Sequence, residues 1–443
     1  MHQSQQHALP LDIARSQFSA PAFSRNVAEP VHRWVNWIAG FSAAFVRDCM
    51  QRYEPGREGV ILDPFAGVAT TNIEAVIAGH NTVGFEVNPF AAFVANTKLT
   101  ALRTDPNAIL ELGRRFSNWM TDALDKGREP RSCPPPMFRS RIPFFSAPVL
   151  HQVLSALDFI DELDEPILRD LTQVALGATM VSFSNYTYEP SLGTRPGAGK
   201  PLIENASVGE IIARKLSEMS DDIRSVQRAR GNRWGRGVIH QQSFFTCIEE
   251  GLVEPGSVSL LVTSPPYLNN YHYVRNTRPQ LFWLGLVHSR DELKQLEESS
   301  YGKFWQTVRA QSPIDLEFDL PEARAIVHEI RQQRTDKGIY GGPGWANYAT
   351  CYLNDSWRFI QLVGELLQPG AIAIIVVGNH IVQGVHVQID KFLALMGERI
   401  GLHQNIHLLR EKRVGDSITN SSVRRGRADV SLYEAAVELT KAE

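Results

Sequence analysis

Apolar and polar positions follow two rhythms along this chain, one of short unbroken apolar runs and one of helical spacing. Gly59-Val-Ile-Leu62 is such a run and reads as a strand, followed by the turn Asp63-Pro-Phe-Ala-Gly67. A helix is predicted from about Thr70 to Ala78, stopped by Gly79, and a second strand, Thr82-Val-Gly-Phe-Glu86, ends in an acid. Strand, glycine turn, helix, strand and acid together predict one βαβ unit of a doubly wound α/β sheet. Upstream, residues 31–53 (VHRWVNWIAGFSAAFVRDCMQRY) carry apolar residues at helical spacing and stop before Pro55 and Gly56. Residues 1–30 read as peripheral.

From about 95 to 235 the pattern changes to long helical segments, Pro148 to Ser182 among them. Strand signals return at Gly237-Val-Ile-His240 and Val258–Val262. Residues 288–346 are charged and then glycine-rich. Tyr352 to Leu367 reads as a helix closed by Pro369-Gly370, and Ala371–Val377 is the clearest buried strand. A loop from Val414 and the β-like segment LYEAAVEL complete the chain, which has no internal repeats. Three parts are expected: 1–94 with the first half of the sheet, 95–235 as a mainly helical insert, and 236–443 with the second half and a further insert at 288–346.

Composition narrows the class without naming a function. The 443 residues are 43% hydrophobic and 21% charged, enough for a sizeable core and more than one structural unit. No apolar run reaches membrane-spanning length, and the first residues lack a basic region followed by an apolar one, so neither membrane nor secretion is expected. Cys49, Cys133, Cys247 and Cys351 lie far apart with no C-x-x-C pair, which points to a cytoplasmic setting without a metal. The net charge of −3 excludes a uniformly basic surface but not a local basic patch. Two arginine-dense segments, 224–237 and 410–427, are candidates for phosphate contact, as are Arg275 and Arg278 on one predicted helix face.

The candidate chemistry sits where strands end. The run Val258–Val262 passes into Thr263-Ser-Pro-Pro-Tyr267, where two prolines remove backbone donors and end the strand on a rigid platform. Open α/β sheets keep their sites at such carboxyl ends. The glycine turn at 63–71 lets a ligand approach the backbone, and the amides opening the next helix favour an anionic group. Glu86 is placed for two ribose hydroxyls. However, Gly67 is followed by Val68 and Ala69, so the G-x-G-x-x-G of dinucleotide enzymes is absent.

Together, Asp63-Pro-Phe-Ala-Gly-Val-Ala-Thr-Thr71, Glu86 and Ser264-Pro-Pro-Tyr267 resemble the amino-methyltransferases of DNA. VHRWVNWIAGFS is similar to that family's cofactor-closing segment, and LLQPGAIAIIVVGN to the strand after the catalytic one. The resemblance implies a Rossmann-like class I methyltransferase sheet, S-adenosylmethionine as cofactor and double-stranded DNA as partner. It also implies nucleoid association and an associated restriction or defence partner. By the same resemblance Asp63, Pro64, Phe65, Ala66, Gly67, Thr70, Thr71, Glu86 and Asn88 are cofactor-binding candidates. Phe41, beside His32, would cover the cofactor's methionine end, and Ser243 or Gln242 would replace the acid that relatives offer after the third strand. Ser264, Pro265, Pro266 and Tyr267 would be catalytic.

The residue types suit that chemistry. An exocyclic amine is a poor nucleophile because its lone pair is delocalised into the ring. Accepting its hydrogens on Ser264 Oγ and the Pro265 carbonyl draws the nitrogen towards sp³ character, and Tyr267 stacks on a base extruded from the duplex. The TSPPY form points to cytosine N4, with adenine N6 the alternative. Cytosine-carbon-5 chemistry is excluded because no Pro-Cys dipeptide occurs. RNA amine methylation and a non-catalytic nucleic-acid-binding relative remain open, while an NAD oxidoreductase would leave TSPPY without a purpose. Asn270 and Tyr271 are further pocket candidates. His272 reads as structural.

Overall fold

The short apolar runs become strands of a largely parallel sheet, whose central members are covered on both faces while the edge strand leaves Val238 exposed. The structure, a computed structural model, describes residues 14–15, 18, 23–37, 40–188, 191–230, 234–268, 272–412 and 432–443. Its main sheet contains β1 (Val60–Asp63), β2 (Thr82–Phe85), β3 (Gly237–His240), β4 (Val258–Thr263), β5 (Leu367–Gly378), β6 (Leu402–Lys412) and β7 (Leu432–Lys441). Their order across the sheet is β3-β2-β1-β4-β5-β7-β6, with the two-residue strand Ala14–Arg15 beyond β6. Neighbours run parallel except at β7, which is antiparallel to both β5 and β6. All six residues of β4 are buried. The order reverses between β1 and β4, so a crevice opens at their carboxyl ends.

The helices, in chain order, are α1 (Ala43–Tyr53), α2 (Thr70–Ala78), α3 (Pro89–Ala101), α4 (Pro106–Asp125), α5 (Ala147–Asp161), α6 (Pro166–Thr179), α7 (Val208–Arg230), α8 (Tyr273–Trp283), α9 (Arg290–Ser299), α10 (Trp305–Val308), α11 (Pro321–Gln332), α12 (Gly342–Leu366) and α13 (Ile389–Arg399). Three apolar clusters divide the core. One joins α1 to the sheet through Phe45, Val46, Ile61, Leu260 and Ile374. A second packs α11, α12 and α13 against the sheet. The third runs through α3 to α8 and makes 95–235 a largely helical body.

Several expectations are corrected. The segment 31–53 is not one helix: a short 3₁₀ turn covers His32–Trp34, and α1 starts only after Ser42, whose Oγ accepts the Phe45 amide. The segment 148–182 is two helices, with Pro166 opening the second. The predicted helix at 352–367 starts ten residues earlier, behind Gly341 and with Pro343 in its first turn. Pro369 and Gly370 do not close it but lie inside β5, where pairing jumps from Val258–Leu367 to Leu260–Ile372. This irregularity absorbs the donor that proline lacks. Among the described residues no helix is long and apolar enough to cross a membrane.

Candidate active site

The turn after β1 is fastened from beneath. The Asp63 carboxylate, only 2% exposed, accepts hydrogen bonds from Thr263 Oγ1 on β4 (2.6 Å) and from the Phe65 amide (3.1 Å). Burial pushes its pKa up to about 6, against the pull of those bonds. The Thr71 hydroxyl donates to the Val262 carbonyl (3.0 Å), tying the first turn of α2 to β4. Gly67 has a φ of 51°, and a Cβ placed there would lie 2.9 Å from Trp37 Nε1. Its amide donates to Glu86 Oε2 (2.9 Å), while the Asn88 amide donates to Glu86 Oε1 (2.7 Å). Burial pushes Glu86 up to about 7, with the amides opposing it. Asn88 Oδ1 in turn caps α3 by accepting from the Phe90 and Ala91 amides.

Ala69 is at a left-handed φ of 69° and ψ of 43°, as the residue preceding α2. Its methyl is fully buried and absent from the pocket lining, so the cost of this residue is backbone strain rather than crowding of a ligand.

The platform after β4 is held from outside. The Pro266 carbonyl accepts a hydrogen bond from Tyr352 of α12 (2.9 Å). The Tyr267 hydroxyl bonds the Ser264 side chain, and burial raises the phenol pKa well above its ordinary value, so it stays protonated. The Tyr267 ring stands edge-on to His380 with centroids 5.9 Å apart.

Pro64, Phe65, Gly67, Glu86, Asn88, Ser243, Ser264 and Pro266 line one pocket at the carboxyl ends of β1, β2, β3 and β4. Asp63, Ala66, Thr70 and Thr71 are not in its lining, because their side chains turn into the protein. Pro265 and Tyr267 lie behind Ser264 and Pro266 rather than in the lining. Phe41 is also elsewhere, packed 5.8 Å from Phe45 under α1. Trp37 takes the covering position instead, over Gly67 and stacked on Tyr273 at 5.8 Å. Asp222 of α7 anchors that covering segment by accepting from the Val31 amide (2.9 Å), Trp34 Nε1 (3.0 Å) and Arg33. Asn270 and Tyr271 lie outside the described residues.

The lining also contains Tyr273, which follows the platform in sequence, and Val274, Ser299, Ser300, Tyr301 and Phe304, which motif reading did not reach. Four of these belong to the charged stretch after 288, whose aromatic residues were the only available signal. Next to β3, Gln242, Ser243, Phe244 and Phe245 complete the wall, with Ser243 Oγ accepting the Phe245 amide (3.3 Å).

No family model matches the chain. Among curated proteins it is 20% identical to the Type II methyltransferase M.BsoBI of Geobacillus stearothermophilus, across 89% of this chain and 83% of that one. It is 21% identical to the Type II methyltransferase M.AvaI of Anabaena variabilis, across 86% of this chain and 81% of that one. The chain is a relative of the Type II methyltransferases. This is the S-adenosylmethionine-dependent class that the motifs at 63–71 and 264–267 resemble. A solved rRNA methyltransferase of Streptomyces viridochromogenes aligns with a TM-score of 0.28 and 9% identity, too low to bear on fold or function.

S-adenosylmethionine is the methyl donor of such a methyltransferase, and the pocket suits it. The Gly67 backbone lines the pocket without a side chain, in a place where a Cβ would press on the covering Trp37. Beside it, the half-buried Glu86 presents a carboxylate suited to a pair of ribose hydroxyls, with aromatic walls on either hand. Gly67, Glu86, Ser243 and the Trp37 cover are the residues that would hold it.

Proposed function

We propose that this methyltransferase transfers a methyl group from S-adenosylmethionine to the exocyclic amine of a base extruded from double-stranded DNA, cytosine N4 ahead of adenine N6. One observation carries the reading: Ser264 at the end of β4 lines the same pocket as Gly67 and Glu86 at the ends of β1 and β2. S-adenosylmethionine, when bound, supplies an electrophilic methyl on a sulfonium. Ser264 Oγ and the Pro265 carbonyl accept the amine hydrogens, and Tyr267, behind the lining, keeps the Ser264 hydroxyl oriented. Rigidity of the two prolines fixes this geometry in advance. Glu86 is the only carboxylate in the described lining, and its oxygens already accept two amides. The chain therefore offers the amine no strong base, and proton loss follows methyl transfer, to water.

Residues 95–235 and 288–346 are the regions we assign to reading the DNA, and the naming of the curated relatives as Type II methyltransferases supports a restriction partner. To test the reaction, plasmid DNA is incubated with the protein and labelled cofactor, and the modified nucleoside is identified by mass spectrometry. N4-methylcytosine is expected. N6-methyladenine would reverse the choice of base, and label transferred to RNA but to no DNA would refute the reading.

A further inference from the structure

An open cleft of about 700 Å³ adjoins the catalytic pocket and shares Val274 and Phe304 with it. Five arginines line this cleft, contributed by three separate parts of the chain. Arg139 and Arg141 come from the connection between α4 and α5, Arg275 and Arg278 from α8, and Arg290 from the first residue of α9. Glu297 is the one carboxylate in the lining.

Elsewhere on this chain arginines find acids: Arg33 pairs with Asp222, Arg47 with Glu29 and Glu74, and Arg224 with Asp221. Among the described residues, none of the five cleft arginines makes an ion pair or a side-chain hydrogen bond to another residue. Arg278 is the most constrained of them. Its guanidinium lies over Phe138 and Phe282, 5.7 and 6.0 Å from the ring centroids, and its buried Nε has no partner. Burial and the neighbouring Arg290 both lower its pKa from the ordinary value. Five like charges with a single carboxylate among them and no ion pair repel one another, and that repulsion is relieved when an anion enters. His272 stacked on Phe304 at 4.5 Å forms the wall between this cleft and the catalytic pocket.

We propose that the arginine cleft holds the phosphodiester backbone of the target strand beside the extruded base. This rests on the DNA-methylation reading above and assigns it a binding surface. Phosphate contacts of this kind fix register and orientation, whereas the sequence is read elsewhere. The cleft's position suits that division, because it shares Val274 and Phe304 with the pocket that Ser264 lines.

The test is a salt titration of binding to a fluorescein-labelled mixed-sequence DNA duplex, read by anisotropy. The proteins compared are the parent, Arg278→Gln, a quadruple variant (Arg139→Ala, Arg141→Ala, Arg275→Ala, Arg290→Ala) and Arg324→Ala. Arg139, Arg141, Arg275 and Arg290 are exposed, so their loss leaves the fold intact. Arg324 of α11 pairs with Asp319, away from the cleft lining, and serves as a charge control. Each phosphate contact removed lowers the slope of log affinity against log salt by about 0.9, so the quadruple variant is expected to lose about 3.6. The control keeps the parental slope. Should the parent methylate plasmid DNA while the quadruple variant and Arg278→Gln bind with parental affinity and slope, the cleft proposal is overturned and the methylation reading stands. A parent that neither binds the duplex nor methylates DNA overturns both. Binding to an RNA duplex alone, with no DNA bound, does the same.

Discussion

The two motifs at the crevice are built in opposite ways, although they end adjacent strands. The turn after β1 is locked from within the sheet: Asp63 and Thr71 spend their polar atoms on Thr263, Phe65 and Val262, and Pro64, Phe65 and Gly67 are left to face the pocket beside Glu86 of the next strand's end. The platform after β4 is locked from outside by Tyr352 on Pro266 and steadied within by Tyr267 on Ser264, and presents Ser264 directly to the pocket. Polar residues in the first motif thus make the shape, whereas the leading polar residue of the second is placed to do chemistry. It follows that equal-looking substitutions should separate stability from turnover.

The largest expected effect is that of Ser264→Ala. Removing one oriented hydrogen-bonding group at a reacting centre typically costs about 10²–10³ in turnover. Cofactor binding, measured by equilibrium dialysis, should stay within about twofold, since a loss of 1.4 kcal/mol would already be tenfold. Parental turnover in this variant would remove Ser264 from the mechanism. The counterpart is Asp63→Ala, which strands the Thr263 hydroxyl and the Phe65 amide. That substitution should destabilise the fold by about 1–3 kcal/mol in urea unfolding. If instead it left stability alone and weakened only cofactor binding, the division between the two motifs would fail.

The same division explains what the sequence made legible. The βαβ unit was readable because Gly67, Gly79 and the apolar runs each have a local physical reason for their positions. A motif's letters, however, do not say which way a side chain points, and in Asp63 and Thr71 it is inward. Phe41 was a natural candidate for the cover, yet the helical spacing of 31–53 concealed the break before Ser42 that brings Trp37 over Gly67. The cleft arginines were harder still. Density along the chain pointed to 224–237, where Arg224 is spent on Asp221, and to 410–427, which lies largely outside the described residues. Arg275 and Arg278 were visible as a helix face, but Arg139, Arg141 and Arg290 join them only through the fold.

Two intermediate effects sharpen the contrast. Tyr352→Phe removes the donor on Pro266 from outside the motif. Turnover should fall by roughly tenfold, while stability falls by about 1 kcal/mol, the usual worth of one hydrogen bond. For Glu86 the handle is pH. Its folded pKa of about 7 lies above the ordinary 4.5, so the folded state retains a proton that the unfolded chain has released between those values. That contribution to stability is lost as pH rises through the window. Cofactor binding should move the other way and tighten as pH rises through about 7, because ribose hydroxyls donate to the ionised carboxylate. Glu86→Gln should flatten both trends in titration calorimetry and thermal unfolding. A parental pH profile in that variant would mean another group is responsible.

The smallest effect concerns Ala69, where the first motif is strained. A non-glycine residue in the left-handed region costs about 1–2 kcal/mol, and glycine recovers this while adding about 0.4–1 kcal/mol of unfolded-chain entropy. Ala69→Gly should therefore stabilise the fold by roughly 0.5–1 kcal/mol, the difference between those two contributions, visible as a small rise in the urea midpoint. The methyl points into the core and not into the pocket, so cofactor affinity should change little. A large gain in affinity without a gain in stability would place that methyl against the ligand after all. It would also make the first motif, like the second, a surface whose side chains act directly on what the pocket holds.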